Sequence, residues 1–109
     1  MPAETHELVA AAQEGDRAAF DELVRRTYAD TYTLAYRLCG DEEDARDVVQ
    51  EAYLRAYRGL RRFRGDAQFS TWMYRITANC ASTFLVRVPF RGQGAKAPPR
   101  RARRRDVAA

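Results

Sequence analysis

Apolar residues recur every three or four positions through the long segment that runs from about Asp16 to Cys39. A 3.6-residue period of this kind is typical of an amphipathic helix that buries one face. The stripe consists of Phe20, Leu23, Val24, Leu34, Ala35 and Leu38, with Thr27 and Thr31 at the same spacing. Gly40 follows directly and is predicted to end the helix, because glycine tolerates the left-handed conformation found at helix ends. The chain is therefore expected to be built around this long helix.

Three further helices are predicted, and no segment favours a strand. The first covers about Thr5 to Gln13 and ends at Gly15. The third follows Asp41, a suitable N-cap, and its acidic first turn suits the positive end of the helix dipole. Its core stripe is Ala45, Val48, Val49, Ala52 and Ala56. A loop from Gly59 to Phe69 follows.

The fourth helix is predicted to begin with Ser70 as its N-cap, to run to about Arg87 and to stop before Pro89. Its expected core stripe is Met73, Ile76, Cys80 and Phe84.

A length of 109 residues permits one domain with one modest core. Residues 1–90 are predicted to form this domain as a small all-α bundle. From Arg91 the sequence has no apolar period and is rich in arginine, alanine and proline. Such a composition cannot bury enough surface to fold, so residues 91–109 are predicted to form a disordered basic tail.

Charge divides the chain into two regions. Residues 1–51 carry 13 acidic and 5 basic side chains, a balance of −8, whereas residues 52–109 carry 14 basic and 2 acidic side chains, a balance of +12. A basic region with an aromatic-rich loop favours nucleic acid, while the acidic region is repelled by it and must face another partner. The pattern indicates an adaptor between a protein and a nucleic acid.

The sequence lacks the residues that several classes of function need. Cys39 and Cys80 lie outside any CxxC or CxxxH pattern, and His6 is the single histidine, so we expect two buried thiols and no zinc site. The sequence has no nucleophile elbow and no phosphate-binding glycine motif, so no enzyme and no cofactor are expected. The carboxylates of residues 41–44 favour helix capping over a metal cluster.

The segment after Met1 has neither a basic n-region nor an apolar run, and no stretch approaches the roughly 20 apolar residues of a membrane span. We therefore expect no signal peptide, no membrane contact and a location in the reducing cytoplasm.

The outward face of the third predicted helix carries four residues at the spacing i, i+3, i+4 and i+7. These are Asp47, Gln50, Glu51 and Leu54, which we name the docking face. They form a polar patch with one apolar member. Two interpretations stay open from the residues alone: a protein-binding surface, or an ordinary solvated face in which Glu51 pairs with Arg55 one turn later.

A second candidate surface combines aromatic, basic and amide side chains. Its loop part is Arg61, Arg62, Phe63 and Arg64, and its helical part is Trp72, Arg75, Asn79 and Ser82, spaced by three, four and three on a face separate from the core stripe. We name the eight residues the recognition surface. Bases stack on aromatic rings, arginines neutralise phosphates, and an amide reads a base edge.

The alternative for Trp72 is simple core packing, which is the usual role of a lone tryptophan. Phe63 favours stacking instead, because an aromatic residue in a polar, glycine-bearing loop is expected to have little core to join.

At these residues the chain resembles region 2 of bacterial sigma factors of the extracytoplasmic-function (ECF) class, over about Glu14 to Arg87. Three segments carry the resemblance in order: GDRAAFDELVRR, DEEDARDVVQEAYLRAYR and FRGDAQFSTWMYRITAN. The resemblance implies that Asp47, Gln50 and Glu51 of the docking face bind the clamp helices of the β′ subunit of RNA polymerase. It likewise implies that the Phe63 to Phe69 loop and the helix face bearing Trp72, Arg75 and Asn79 engage the promoter −10 element as opened non-template strand. One base would be flipped into a pocket between the loop and the fourth helix.

Family members continue into region 4, a helix-turn-helix domain that reads the −35 element, and nothing in this sequence predicts one. We hypothesise that the basic tail arises from a shifted reading frame; a fragment or a natural one-domain variant are the alternatives. Two other functions stay open. The domain could be an interaction module that occupies the clamp helices or an anti-sigma factor without productive initiation, or a basic bundle that binds duplex DNA with little sequence preference.

Overall fold

The computed structural model of the chain describes residues 4–87, and they form four α-helices joined by short connections. The elements in order are α1 (Thr5–Gln13), α2 (Arg17–Cys39), α3 (Glu42–Gly59), a 3₁₀-helix (Leu60–Arg62) and α4 (Phe69–Arg87). No strand occurs among the described residues. The all-α prediction is thus confirmed. The predicted helix stop at Pro89 and the predicted tail of residues 91–109 lie outside the described part of the chain.

Side chains and one glycine fix both ends of α2 and the start of α3. The Asp16 carboxylate accepts a hydrogen bond from the Ala19 amide at 3.2 Å, and the Asp41 carboxylate accepts one from the Asp44 amide at 2.9 Å. Gly40 ends α2 with a φ of +74°, a left-handed conformation that glycine adopts without a steric penalty. The sequence from Cys39 to Asp41 therefore turns the chain sharply, so that α3 can return along α2.

The core lies where α2, α3 and α4 pack against one another, with α1 closing one side. The whole predicted stripe of α3 is buried, and so are Leu23 and Ala35 of α2. On α4, Met73 and Cys80 are buried as predicted, while Ile76 and Phe84 are half-buried against the core. Both cysteine side chains are buried, as predicted from their isolated positions.

The start of α4 differs from the prediction. The Trp72 amide donates to the Gln68 carbonyl at 3.1 Å, so the helix begins at Phe69 and Ser70 lies inside its first turn. The predicted N-cap role of Ser70 is therefore wrong. Burial of the Phe69 side chain, which is 3% exposed, explains the earlier start, because it ties the first turn to the core. The predicted loop is also shorter, since the 3₁₀-helix occupies its first residues and leaves residues 63–68.

None of the helices in residues 4–87 combines the length and the apolar character that crossing a bilayer requires. Within the same residues, no three His, Cys, Asp or Glu side chains come together as a potential metal site.

Candidate functional site

The loop of residues 63–68 is attached to α4 through three aromatic rings. The Phe63 ring centroid lies 4.8 Å from that of Trp72 and 6.2 Å from that of Phe69, and the Phe69 and Trp72 centroids are 5.7 Å apart. We name these three residues the aromatic cluster. Phe69 is buried, whereas Phe63 and Trp72 are half-buried against the core. The expectation that Phe63 has little core to join is wrong, because Phe69 brings the core to the loop.

The helical part of the recognition surface divides into two. Arg75, Asn79 and Ser82 are exposed along one side of α4, as their spacing predicted. Trp72 stands at the end of this row but turns one side of its indole into the aromatic cluster. The Trp72 ring therefore contributes to packing and keeps a partly accessible face, and its stacking role stays a prediction.

Three arginines of the recognition surface flank Phe63 of the aromatic cluster in sequence. Arg61 and Arg62 are exposed on the 3₁₀-helix, and Arg64 is exposed at the start of the loop. The Arg64 guanidinium approaches the Asp66 carboxylate at 3.9 Å, and both side chains are largely exposed. Such a pair contributes little and is readily broken in water. The three guanidinium groups are therefore accessible to phosphates.

A cleft of about 740 Å³ opens beside the loop. Its walls come from α1, α2 and residues 63–70, and they include Arg26, Thr27, Phe63 and Gln68. Trp72, Arg75, Asn79 and Ser82 do not line it. This cleft thus lies between α1, α2, the loop and the first turn of α4, to which Phe69 and Ser70 belong. The base pocket between the loop and the fourth helix stays a prediction.

The docking face has the predicted geometry on α3. Asp47, Gln50 and Glu51 are exposed, and Leu54 is 42% exposed although it is a large apolar side chain. The predicted ion pair is present, with 3.1 Å between the Arg55 Nε and the Glu51 carboxylate. Glu51 is thus partly compensated within its own helix.

Trp72 of the recognition surface lies close to the C-terminal end of α3. A Cβ added to Gly59 on α3 would lie 3.7 Å from the Trp72 indole. Burial raises the pKa of the Cys80 thiol on α4, and the nearby charges of Arg55 and Glu51 act on it with opposite signs. Glu51 and Arg55 of α3 thus lie within electrostatic range of Cys80 on α4.

One residue near the site was missed by the sequence analysis. The Gln13 amide nitrogen, at the end of α1, donates to the carbonyl oxygens of Leu60 at 3.0 Å and Phe63 at 2.9 Å. Its partners lie 47 and 50 positions away in sequence, so no local spacing could have indicated the contact.

Comparison with solved structures finds the same fold. An NMR structure of an engineered region 2 of sigmaE in complex with GTAAAA superposes with a TM-score of 0.76 and is 40% identical in sequence. The match covers 82% of this chain and 93% of that one.

Comparison with curated proteins finds sigma factors. The chain is 46% identical over 80 residues to the RNA polymerase sigma-H factor of Pseudomonas aeruginosa and 47% identical over 79 residues to the ECF RNA polymerase sigma-E factor of Escherichia coli strain K12. These alignments cover 73% and 72% of this chain but only 42% and 41% of the relatives, so the chain matches about two-fifths of their length. The Sigma-70 region 2 family matches residues 23–88, a span that includes both candidate surfaces. The resemblance predicted from the sequence is confirmed, and the chain belongs to the Sigma-70 region 2 family.

Proposed function

We propose that this chain works as region 2 of an ECF sigma factor. In this proposal the docking face binds the clamp helices of core RNA polymerase, and the recognition surface binds the opened non-template strand of a promoter −10 element. The observation that carries the proposal is the likeness to an engineered region 2 of sigmaE in complex with GTAAAA, at 40% identity and a TM-score of 0.76. The chain itself performs no chemical step, since bond formation belongs to the polymerase.

The recognition surface has the groups that a single strand requires. The partly accessible faces of Phe63 and Trp72 offer stacking positions, and such stacking contributes about 1–3 kcal/mol per base. Arg61, Arg62 and Arg64 are exposed next to them and can neutralise phosphates. The exposed Asn79 amide on α4 offers both a donor and an acceptor to a base edge.

Opening of the −10 element follows from the same arrangement. Extruding a base from the duplex costs a few kcal/mol, and stacking and edge hydrogen bonds to the extruded base offset that cost. These contacts are available to a single strand and not to paired bases, so the surface favours the open state. A surface of this kind stabilises melted DNA by binding it, without acting as a helicase.

The docking face fits a protein partner better than a nucleic acid. It carries the Asp47 carboxylate, the Gln50 amide and the exposed Leu54 side chain, and the charge balance of residues 1–51 is negative. An acidic face of this kind repels phosphates and suits a basic or mixed helical surface. Binding polymerase on this side leaves the recognition surface turned toward the DNA.

Run-off transcription tests the proposal. The full chain is combined with core RNA polymerase on one promoter with an intact −10 element and on a matched promoter with that element mutated. We expect transcripts that depend on the −10 element. Binding to polymerase without any transcript supports the interaction module instead, and equal transcription from both promoters contradicts −10 recognition.

A further inference from the structure

Gln13 links the end of α1 to the backbone at the start of the recognition loop. Its side-chain amide has two hydrogens, and the nitrogen donates to the carbonyl oxygens of Leu60 and Phe63 at 3.0 and 2.9 Å. The Phe63 amide also donates to the Leu60 carbonyl at 3.0 Å. The two carbonyls therefore lie at the start and just after the end of the 3₁₀-helix, and the Gln13 side chain donates to both.

The carbonyls at a helix end need partners from outside the helix, and here the partner comes from another element. Phe63 is half-buried, so losing the donor removes the Gln13 partner of its carbonyl, while the Leu60 carbonyl keeps the bond from the Phe63 amide. The other side of the link is also fixed, since α1 packs on α2 and buries Val9 in the core. Gln13 therefore joins a well-packed helix to the point where the loop leaves the 3₁₀-helix.

The rest of the loop has few restraints of this kind. Arg64, Gly65 and Asp66 are exposed, and Gly65 has a φ of +81°. The loop is then held at its two ends, by Phe69 in the first turn of α4 and by Phe63 together with Gln13. Because Phe63 packs on Trp72, the direction in which the Phe63 backbone enters the loop also sets how this ring meets the indole.

We propose that Gln13 is a positioning residue of the recognition surface: by holding the Leu60 and Phe63 carbonyls, it keeps the Phe63 ring and the neighbouring arginines in the arrangement that binds a single strand. This inference rests on the proposed function. A strand binds only the fraction of molecules whose loop is correctly arranged, so its apparent affinity falls in proportion to that fraction. A residue remote from the DNA can thus change the affinity for DNA without touching it.

The test uses the full chain with Gln13→Met, which keeps the length of the side chain, removes both donors and leaves the net charge unchanged. Glu14→Gln, one residue later at an exposed position, is the matched control. Trp72 is the only tryptophan, so intrinsic fluorescence reports on the ring that contacts Phe63. Amide hydrogen exchange of residues 63–68 gives a second readout in the free protein.

In Gln13→Met we expect Trp72 emission at longer wavelength, stronger quenching by acrylamide and faster exchange in residues 63–68. Affinity for the GTAAAA oligonucleotide, measured at a temperature where both proteins are fully folded, should fall roughly tenfold. Affinity for core polymerase should stay unchanged, because the docking face lies on α3 outside the loop. Glu14→Gln should leave all four measurements near wild type.

Unchanged fluorescence and exchange in Gln13→Met overturn the proposal, because the loop is then held without the amide. A looser loop with unchanged oligonucleotide affinity overturns it as well, since the positioning then has no effect on recognition. An equal loss of oligonucleotide and polymerase affinity indicates general destabilisation and also contradicts it. If the wild-type chain fails to bind the oligonucleotide, the proposed function fails, while the two readouts in the free protein still decide whether Gln13 holds the loop.

Discussion

The Phe63 ring of the loop lies 4.8 Å from the Trp72 indole of α4, with 41° between the two ring planes. Both rings are half-buried against the core, and the buried Phe69 ring contacts each of them. The loop and the helix thus share one aromatic unit whose inner side is packed and whose outer side faces solvent. The same contacts contribute to folding and to the proposed stacking of bases, so a variant must separate the two.

Phe63→Leu makes this separation. Leucine keeps an apolar side chain against Phe69 and Trp72 but has no flat face for a base. We expect a loss of oligonucleotide affinity of about 1–3 kcal/mol, or roughly five- to hundredfold, and a loss of stability of only about 1 kcal/mol. Fluorescence anisotropy with labelled GTAAAA and thermal unfolding measure the two effects. Wild-type affinity in a folded Phe63→Leu protein contradicts the stacking role.

Asp47→Ala and Asn79→Ala form a matched pair on the two exposed surfaces. Asp47→Ala should weaken binding to core polymerase by about 1 kcal/mol, roughly fivefold, and spare the oligonucleotide. Asn79→Ala should do the reverse, because the amide lies on the recognition surface. Polymerase affinity is measured by competition and oligonucleotide affinity by anisotropy. Equal loss of polymerase affinity in both variants refutes the assignment of separate surfaces.

Asp41→Ala tests the N-cap of α3. The carboxylate accepts from the Asp44 amide at 2.9 Å, and its removal should cost about 1 kcal/mol, or roughly 4–8 °C in Tm. Glu43→Ala is the control in the same turn. Glu43 is exposed, and its interaction with the helix dipole contributes only about a few tenths of a kcal/mol to stability. Thermal unfolding followed by circular dichroism should separate the two variants, and equal shifts argue against the cap.

Tyr53→Phe tests a polar contact between α2 and α3. The Tyr53 hydroxyl lies 2.5 Å from the Thr27 hydroxyl and donates to the Thr31 hydroxyl at 3.1 Å. Removing it should cost about 1 kcal/mol at pH 7. Denaturant unfolding gives this free energy, and an unchanged midpoint indicates that the two threonines find other partners.

The same variant should change the response to alkaline pH. Burial raises the pKa of Tyr53 above its ordinary value, although the bonds to Thr27 and Thr31 act in the opposite direction. The folded state therefore holds the phenol proton more tightly than the unfolded state. This stability is complete below about pH 10 and is lost as the pH rises through the folded-state pKa. Stability above pH 10 should thus fall less steeply in Tyr53→Phe.

Tyr32 and Cys80 also have raised pKa values, because both are desolvated, but they titrate alike in the two proteins. The difference between the two pH profiles therefore isolates Tyr53. Identical slopes above pH 10 contradict the raised pKa of this residue.

The helices could be predicted from the sequence because their signals are local. The apolar period of α2, the glycine after it and the Asp41 cap lie within a few residues of the structure they determine. Thr77 was left out of the predicted stripe of α4 because it is polar, yet it is fully buried. Its hydroxyl donates to the Met73 carbonyl at 2.7 Å within the same helix, which makes this burial possible. A polar residue that satisfies itself in this way gives no sign of burial in the sequence.

The site could be predicted less completely, because its shape depends on contacts between distant segments. The exposure of Arg75 and Asn79 followed from helical spacing alone. The early start of α4 depended on how Phe69 packs, and the support of the loop depended on Gln13, which is 50 positions from Phe63. Spacing within one segment carries no information about either contact.

The direct continuation of α3 into the 3₁₀-helix has a thermodynamic consequence. Asp47 lies roughly 18 Å along the helix axis from Gly59, at a rise of 1.5 Å per residue, and Leu60 follows without a break. The proposed binding sites for polymerase and for DNA therefore share one continuous helical segment. If polymerase binding shifts this helix and thereby raises the affinity for DNA, DNA binding must raise the affinity for polymerase by the same factor. In that case, release of promoter DNA also lowers the affinity of the chain for polymerase.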